Sequence, residues 1–171
     1  MATGIGLIYV GCVLLINGVG MINKYDSKAL AVMNFFTGGI YVIINIINLA
    51  NAVFTGQEIG AFYGVGTSML FGFTYLFVGF TNLFKLDGGP LAWYCFFVGL
   101  NTIPSSYLSF QSGDTRFGVI WLIWGALWLL YWVAGGLTKI KLNDKLVPWS
   151  TILVGVFTCW IPGYMLLANW W

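Results

Sequence analysis

The sequence predicts an all-α membrane protein: one bundle of six membrane-crossing helices. Three observations predict it. Hydrophobic residues make up 60% of the chain and charged residues only 7%, with a mean hydropathy of +0.89, whereas soluble domains carry about 25% charged residues. Apolar runs of about 20 residues, the length that crosses a bilayer core, recur along all 171 positions. The acids Asp26, Glu58, Asp87, Asp114 and Asp144 all fall in the polar breaks between those runs, and no Asp, Glu, Lys, Arg or His falls inside one.

The spans are expected near 3–22, 29–53, 61–84, 90–110, 117–138 and 147–170, together forming a single transmembrane domain over 1–171. The first starts almost at Met1 without a basic leader, its first charge being Lys24 after the run, so it reads as a retained span. Asn23 to Lys28 separates it from the second, and Thr55-Gly56-Gln57-Glu58 separates the second from the third. Lys85 to Gly89 and Gln111 to Arg116 flank the fourth, and Thr138 to Val147 precedes the sixth. The first, third and fifth breaks hold Lys24, Lys28, Lys85, Lys139, Lys141 and Lys145, against Arg116 alone in the other two. The positive-inside rule places the odd breaks in the cytoplasm and both termini outside.

Glycines Gly11 and Gly18, Gly72 and Gly79, and the small-xxx-small pair Gly60 and Gly64 are expected to let helices approach closely. Pro90 and Pro104 are 14 residues apart, as are Pro148 and Pro162. The shared spacing predicts repeated helical hairpins, with Pro104 and Pro162 bending their helices.

Composition also excludes function classes. The net charge of +2 says nothing about nucleic acid, and without a basic cluster beyond a few lysines in one loop no nucleic-acid partner is expected. There is no histidine, which removes the commonest general base, metal ligand and pH switch. Cys12, Cys95 and Cys159 lie in apolar runs and form no CxxC pair, so no metal, cofactor or disulfide framework is expected. With no buried acid, no nucleophile has a base, and catalysis is not expected. The mid-span polar groups are neutral, among them Asn17, Asn34, Asn45, Asn48, Thr74, Tyr75, Asn101 and Thr158. They read either as interhelical hydrogen bonds or as the lining of a path for an uncharged solute.

Trp121, Trp124, Trp128 and Trp132 recur at steps of three, four and four. They fall within an arc of roughly 80° on one helix face and cover about 16 Å along its axis. Interfacial tryptophans belong at the ends of a span, and these run past its middle. Aromatic packing between helices is one reading. A column of flat faces lining a narrow slot is the other.

Several stretches together resemble the bacterial urea/amide channel family, AmiS/UreI, along nearly the whole chain. They are Leu7 to Leu14 with Asn17-Gly18, Ala31 to Phe36 with Gly38-Gly39, Leu70-Phe-Gly-Phe-Thr-Tyr-Leu76, Trp93-Tyr94, Asn101-Thr-Ile-Pro104, Trp121 to Trp128, and Pro148-Trp149 with Trp160-Ile-Pro162. The resemblance implies a pore within each protomer, a homohexameric ring in the bacterial cytoplasmic membrane, and passive permeation of urea or short aliphatic amides. It implies a lining of Leu7, Val10, Leu14 and Asn17, of Phe71, Thr74 and Tyr75, and of Trp121, Trp124 and Trp128. The expected partners are urea or small amides, membrane lipid and further copies of the chain, with a functional link to a cytoplasmic urease or amidase. The run Asn101-Thr-Ile-Pro104 inclines the reading towards urea. Acid-gated relatives carry histidines in longer outer loops and a carboxylate in the sixth span, where this chain has Val154. The expectation is therefore a channel open at neutral pH. The alternatives are an amide channel and a structural membrane protein without transport activity.

Overall fold

A computed structural model of the chain describes residues 2–137 and 140–171. Thr138 and Lys139, assigned above to the end of the fifth span and the break after it, lie outside the described residues, as does Met1. The elements are α1 (Ala2–Asn23), α2 (Ser27–Phe54), α3 (Ile59–Phe84), α4 (Gly89–Gln111) and α5 (Thr115–Gly136). A last helical stretch follows, made of α6 (Leu146–Val154), a π-helical segment (Gly155–Trp160) and α7 (Ile161–Leu167). Among the described residues no strand is present.

Among the described residues five stretches are long and apolar enough to cross a membrane: Thr3–Asn23, Ser27–Phe54, Ile59–Phe84, Thr115–Gly136 and Leu146–Leu167. Helix α4 is not among them. Its 23 residues suffice in length, but Asn101, Thr102, Ser105, Ser106, Ser109 and Gln111 dilute its second half.

The acids of the breaks start helices. Asp26 accepts the Lys28 amide at 2.9 Å at the start of α2, and Asp114 accepts that of Phe117 at 3.0 Å at the start of α5. Both satisfy amides that have no partner within the helix.

Helix α2 packs along α3, α4 along α5, and α1 along the α6–π–α7 stretch. Thinner contacts of α1 with α2, α3 with α4 and α5 with α6 close a ring. Each main pair crosses at glycine. A Cβ at Gly38 would lie 2.9 Å from the Gly72 carbonyl, and one at Gly125 would collide with Thr102. A Cβ at Gly11 would lie 2.7 Å from the backbone nitrogen of Trp160, and one at Gly155 would lie 2.7 Å from Leu14 Cβ. The close approach expected at Gly60 and Gly64 is absent: nothing lies within 4 Å of a Cβ at either, and Gly64 borders open space in a cavity.

The proline spacing does not mark equivalent positions. Pro90 and Pro104 are exposed, whereas Pro148 and Pro162 are buried. The correspondence lies in the buried faces instead. Ala92, Cys95, Gly99 and Thr102 of α4 match Pro148, Thr151, Gly155 and Thr158, each 56 positions on (92 to 148). Ser105 and Ser106 match Pro162 and Gly163, 57 positions on (105 to 162). The extra residue is absorbed by the π-helical segment, where the Ile161 amide reaches back to the Val156 carbonyl. A proline ring conflicts with the carbonyl four residues earlier, and the wider turn ahead of Pro162 relieves that conflict.

Candidate functional site

Among the described residues one cavity of about 560 Å³ and another of about 480 Å³ lie inside the ring. The first reaches Lys24, Ser27, Gly88 and Val147, at the lysine-bearing breaks. The second reaches Thr3, Asn51 and Gln57, at the opposite end of the bundle. Among the described residues only Phe71 and Trp124 belong to both walls.

Those two rings form the centre of a partition. Phe71, from α3, lies 4.9 Å edge-on from Trp124, 4.9 Å from Trp128 and 5.8 Å from Trp121, while Tyr41 stacks on it at 5.7 Å. Such edge-to-face contacts hold aromatic rings in defined orientations. Leu7, Val10 and Leu14 of α1, all buried, belong to the same core cluster. Trp132 leaves the column: it packs on Phe96 at 4.5 Å and Trp93 at 5.7 Å. The helix face drifts with each turn, so four positions in one arc do not all reach one neighbour.

All ten residues singled out from the sequence border a cavity. Val10, Leu14, Asn17, Thr74, Tyr75 and Trp128 line the first, Leu7 and Trp121 the second, and Phe71 and Trp124 both. Three of the ten are already engaged, Thr74 by donating its hydroxyl to the Leu70 carbonyl at 2.7 Å. The Trp124 indole N–H donates to Thr158 Oγ1 at 2.9 Å, and that hydroxyl donates to the Val154 carbonyl at 2.6 Å. The Asn17 and Asn34 carboxamides bond reciprocally at 3.1 Å and 2.9 Å. Val154 itself is partly buried against the core cluster and lies outside both cavity walls.

Replacing Thr158 by valine keeps the volume and leaves the Trp124 N–H buried without a partner. The expected cost is about 1–3 kcal/mol, read as a lowered thermal midpoint in detergent, with Thr158→Ser close to the parent.

Tyr41, which completes the aromatic stack, is not identified from the sequence. Its signal is there in retrospect: Asn34, Thr37, Tyr41 and Asn45 repeat at three and four residues, and all are buried on one face of α2. Lys24 is the one charged side chain in either wall among the described residues, which also hold no cluster of His, Cys, Asp or Glu able to bind a metal. The walls offer hydroxyls, carboxamides and aromatic faces, suited to a neutral polar molecule.

An apolar helical bundle with cavities that meet at a neutral partition is the architecture of a membrane protein able to hold a small neutral solute. The chain belongs to the AmiS/UreI family of transporters, whose family model matches residues 2–170. It is 39% identical to an acid-activated urea channel of Helicobacter pylori, over 98% of each chain. It is 35% identical to the putative transporter protein AmiS2 of Rhodococcus erythropolis, over 96% of this chain and 79% of that one. The crystal structure of the Helicobacter pylori urea channel superposes with a TM-score of 0.91 at 38% identity, covering 100% of this chain and 99% of the other. A closed-state structure of that channel gives 0.90 at 38% identity, covering 98% of both.

Proposed function

We propose that the chain is a passive urea channel of the bacterial cell membrane, built as one domain of six membrane-crossing helices with a pore through each protomer. The observation that carries this reading is the partition of Phe71 with Trp121, Trp124 and Trp128 between two cavities almost free of charge. Urea is flat, neutral and strongly hydrated. Leaving a polar group unpaired in an apolar site costs several kcal/mol, so the solute must exchange water for protein partners on either side. Thr74 and Tyr75 stand on one side of the partition and Asn45 and Ser68 on the other. Between them the solute slides past aromatic faces. Ions lack compensation for their lost hydration there, since no ring of charges or carbonyls is available. The lysine-rich breaks support a first cavity that opens towards the cytoplasm, with both termini outside. By family resemblance the ring is a homohexamer embedded in lipid, working beside a cytoplasmic urease or amidase, and the protein is not itself an enzyme.

Ungated conduction is part of the proposal. The alignment with the acid-activated relative runs over 194 positions, against 171 residues here. At least 23 aligned positions therefore have no residue in this chain. That with the AmiS2 relative runs over 166. Neither cavity wall contains His, Asp or Glu, the side chains whose charge changes at mildly acid pH. Glu58 and Asp114 sit at helix starts outside the walls. Urea efflux from proteoliposomes, followed by stopped-flow light scattering, is expected to be equally fast at about pH 7.5 and about pH 5. Flux confined to the acid sample would overturn the ungated reading. The second reading is a short-chain amide channel, favoured by the similarity to AmiS2, and acetamide outrunning urea in the same assay would establish it. Flux no faster than in empty liposomes would leave a structural membrane protein.

A further inference from the structure

The second cavity differs from the first in chemistry. Its wall carries four primary carboxamides, Asn45, Asn48, Asn51 and Gln57, with the hydroxyls of Tyr63 and Ser68 from α3 and, among the described residues, no charged residue. Asn45, Asn48 and Asn51 recur every third residue along the second half of α2. At its base Asn45 is 1% exposed. Its Nδ2 donates to the Tyr41 carbonyl at 2.8 Å and to Ser68 Oγ at 2.9 Å. Those two acceptors fix which way the carboxamide faces. Its Oδ1 is left buried without a hydrogen-bond partner.

An unpartnered buried carbonyl is unusual, because leaving it unpaired costs about as much as a lost hydrogen bond. Beside it, Ser68 Oγ already accepts from Asn45 and keeps its own proton to give. The Asn45 Nδ2–Ser68 Oγ bond of 2.9 Å holds the two side chains together, so the unpaired Asn45 carbonyl and the Ser68 hydroxyl belong to neighbouring groups of the same wall. That pair matches the N–H and C=O of one planar carboxamide or urea. We infer that Asn45 and Ser68 form a loading site for small neutral solutes bearing a primary amide, at the end of the second cavity nearest Phe71. This deepens the proposed channel function and rests on it. The solute would give an N–H to Asn45 Oδ1 and take the Ser68 proton at its carbonyl, exchanging water for matched partners before it meets the aromatic partition. Asn48, Asn51 and Gln57 would shepherd it there from the mouth.

The site predicts saturation. Tracer urea uptake by proteoliposomes, measured against urea concentration, is expected to level off for the parent chain. Ser68→Ala keeps the Asn45 bond to Tyr41 and removes the proton given to the solute. It is expected to raise the half-saturating concentration about tenfold, the worth of one hydrogen bond, while the maximal flux holds. Asn45→Leu is expected to raise it at least as far, with a monodisperse elution profile checking that the protein is folded. Asn48→Leu, nearer the mouth, should raise it less. Acetamide added on the second-cavity side should compete, and acetone, of similar shape without an N–H, should not. Uptake that stays linear in the parent and is unchanged in Ser68→Ala would overturn the site, with water as the partner of Asn45, and leave the channel standing. A fall in maximal flux with an unchanged half-saturation would also overturn it, since that is the mark of structural damage. No urea uptake at all by the parent would instead overturn the channel reading itself.

Discussion

Replacing Trp124 by alanine is expected to abolish discrimination between urea and longer amides while keeping or raising urea flux. Trp124 is one of two residues shared by both cavity walls, so removing the indole joins the two cavities. A fitted apolar slot distinguishes solutes differing by one methylene by about 10-fold or more, and that advantage disappears when the slot widens. The same change leaves Phe71 without the edge-on ring at 4.9 Å and Thr158 without its indole donor. A loss of about 3–5 kcal/mol of stability, the usual cost of truncating a buried tryptophan, is expected alongside. Trp124→Phe separates the two effects: it retains an aromatic face and lacks the N–H, so selection by shape should largely survive while stability falls. Parallel flux measurements with urea, acetamide and propionamide check this. If the alanine variant conducts urea and still excludes the longer amides, the partition is not the selective element.

The second large effect is expected at Gly11, where valine should prevent the protein from folding. A Cβ there would lie 2.7 Å from the backbone nitrogen and 2.8 Å from the Cα of Trp160. Side chains can rotate aside, but backbone cannot, and this backbone belongs to the π-helical segment that Pro162 requires. Overpacking of this kind costs about 3 kcal/mol or more, and it would separate α1 from the sixth helical stretch along its whole length. The measurement is the yield of monodisperse protein in detergent. Gly64→Ala is the control, since nothing lies within 4 Å of that position, and it should purify like the parent.

These two glycines show where sequence reasoning reached and where it stopped. Both sit in motifs of small residues, and both were expected to lie at helix contacts. Only packing distinguishes them, because a glycine lets another helix approach but does not bring one there. The prolines teach the same point. Equal spacing of 14 suggested a repeat carried by Pro104 and Pro162, but one faces outward and the other inward. What corresponds is the set of buried positions of α4 and of the last helical stretch, displaced by one residue at a π-helical turn that no periodicity count reveals.

The sequence by itself determined the helices, their order and the neutrality of the interior. Those properties depend on local composition: a bilayer core admits long apolar segments with satisfied backbones and few charges. It also marked the tryptophan face and the mid-span asparagines. The tertiary structure alone decided which of those groups meet. It sent Trp132 to Phe96, set Tyr41 on Phe71, closed the Trp124 N–H on Thr158 and joined Asn17 to Asn34. It left Asn45 Oδ1 unpaired at the edge of a cavity. Each of these pairings depends on the rotation and depth of one helix against another, set by the summed close contacts of the whole ring, to which every residue contributes and which no single stretch encodes.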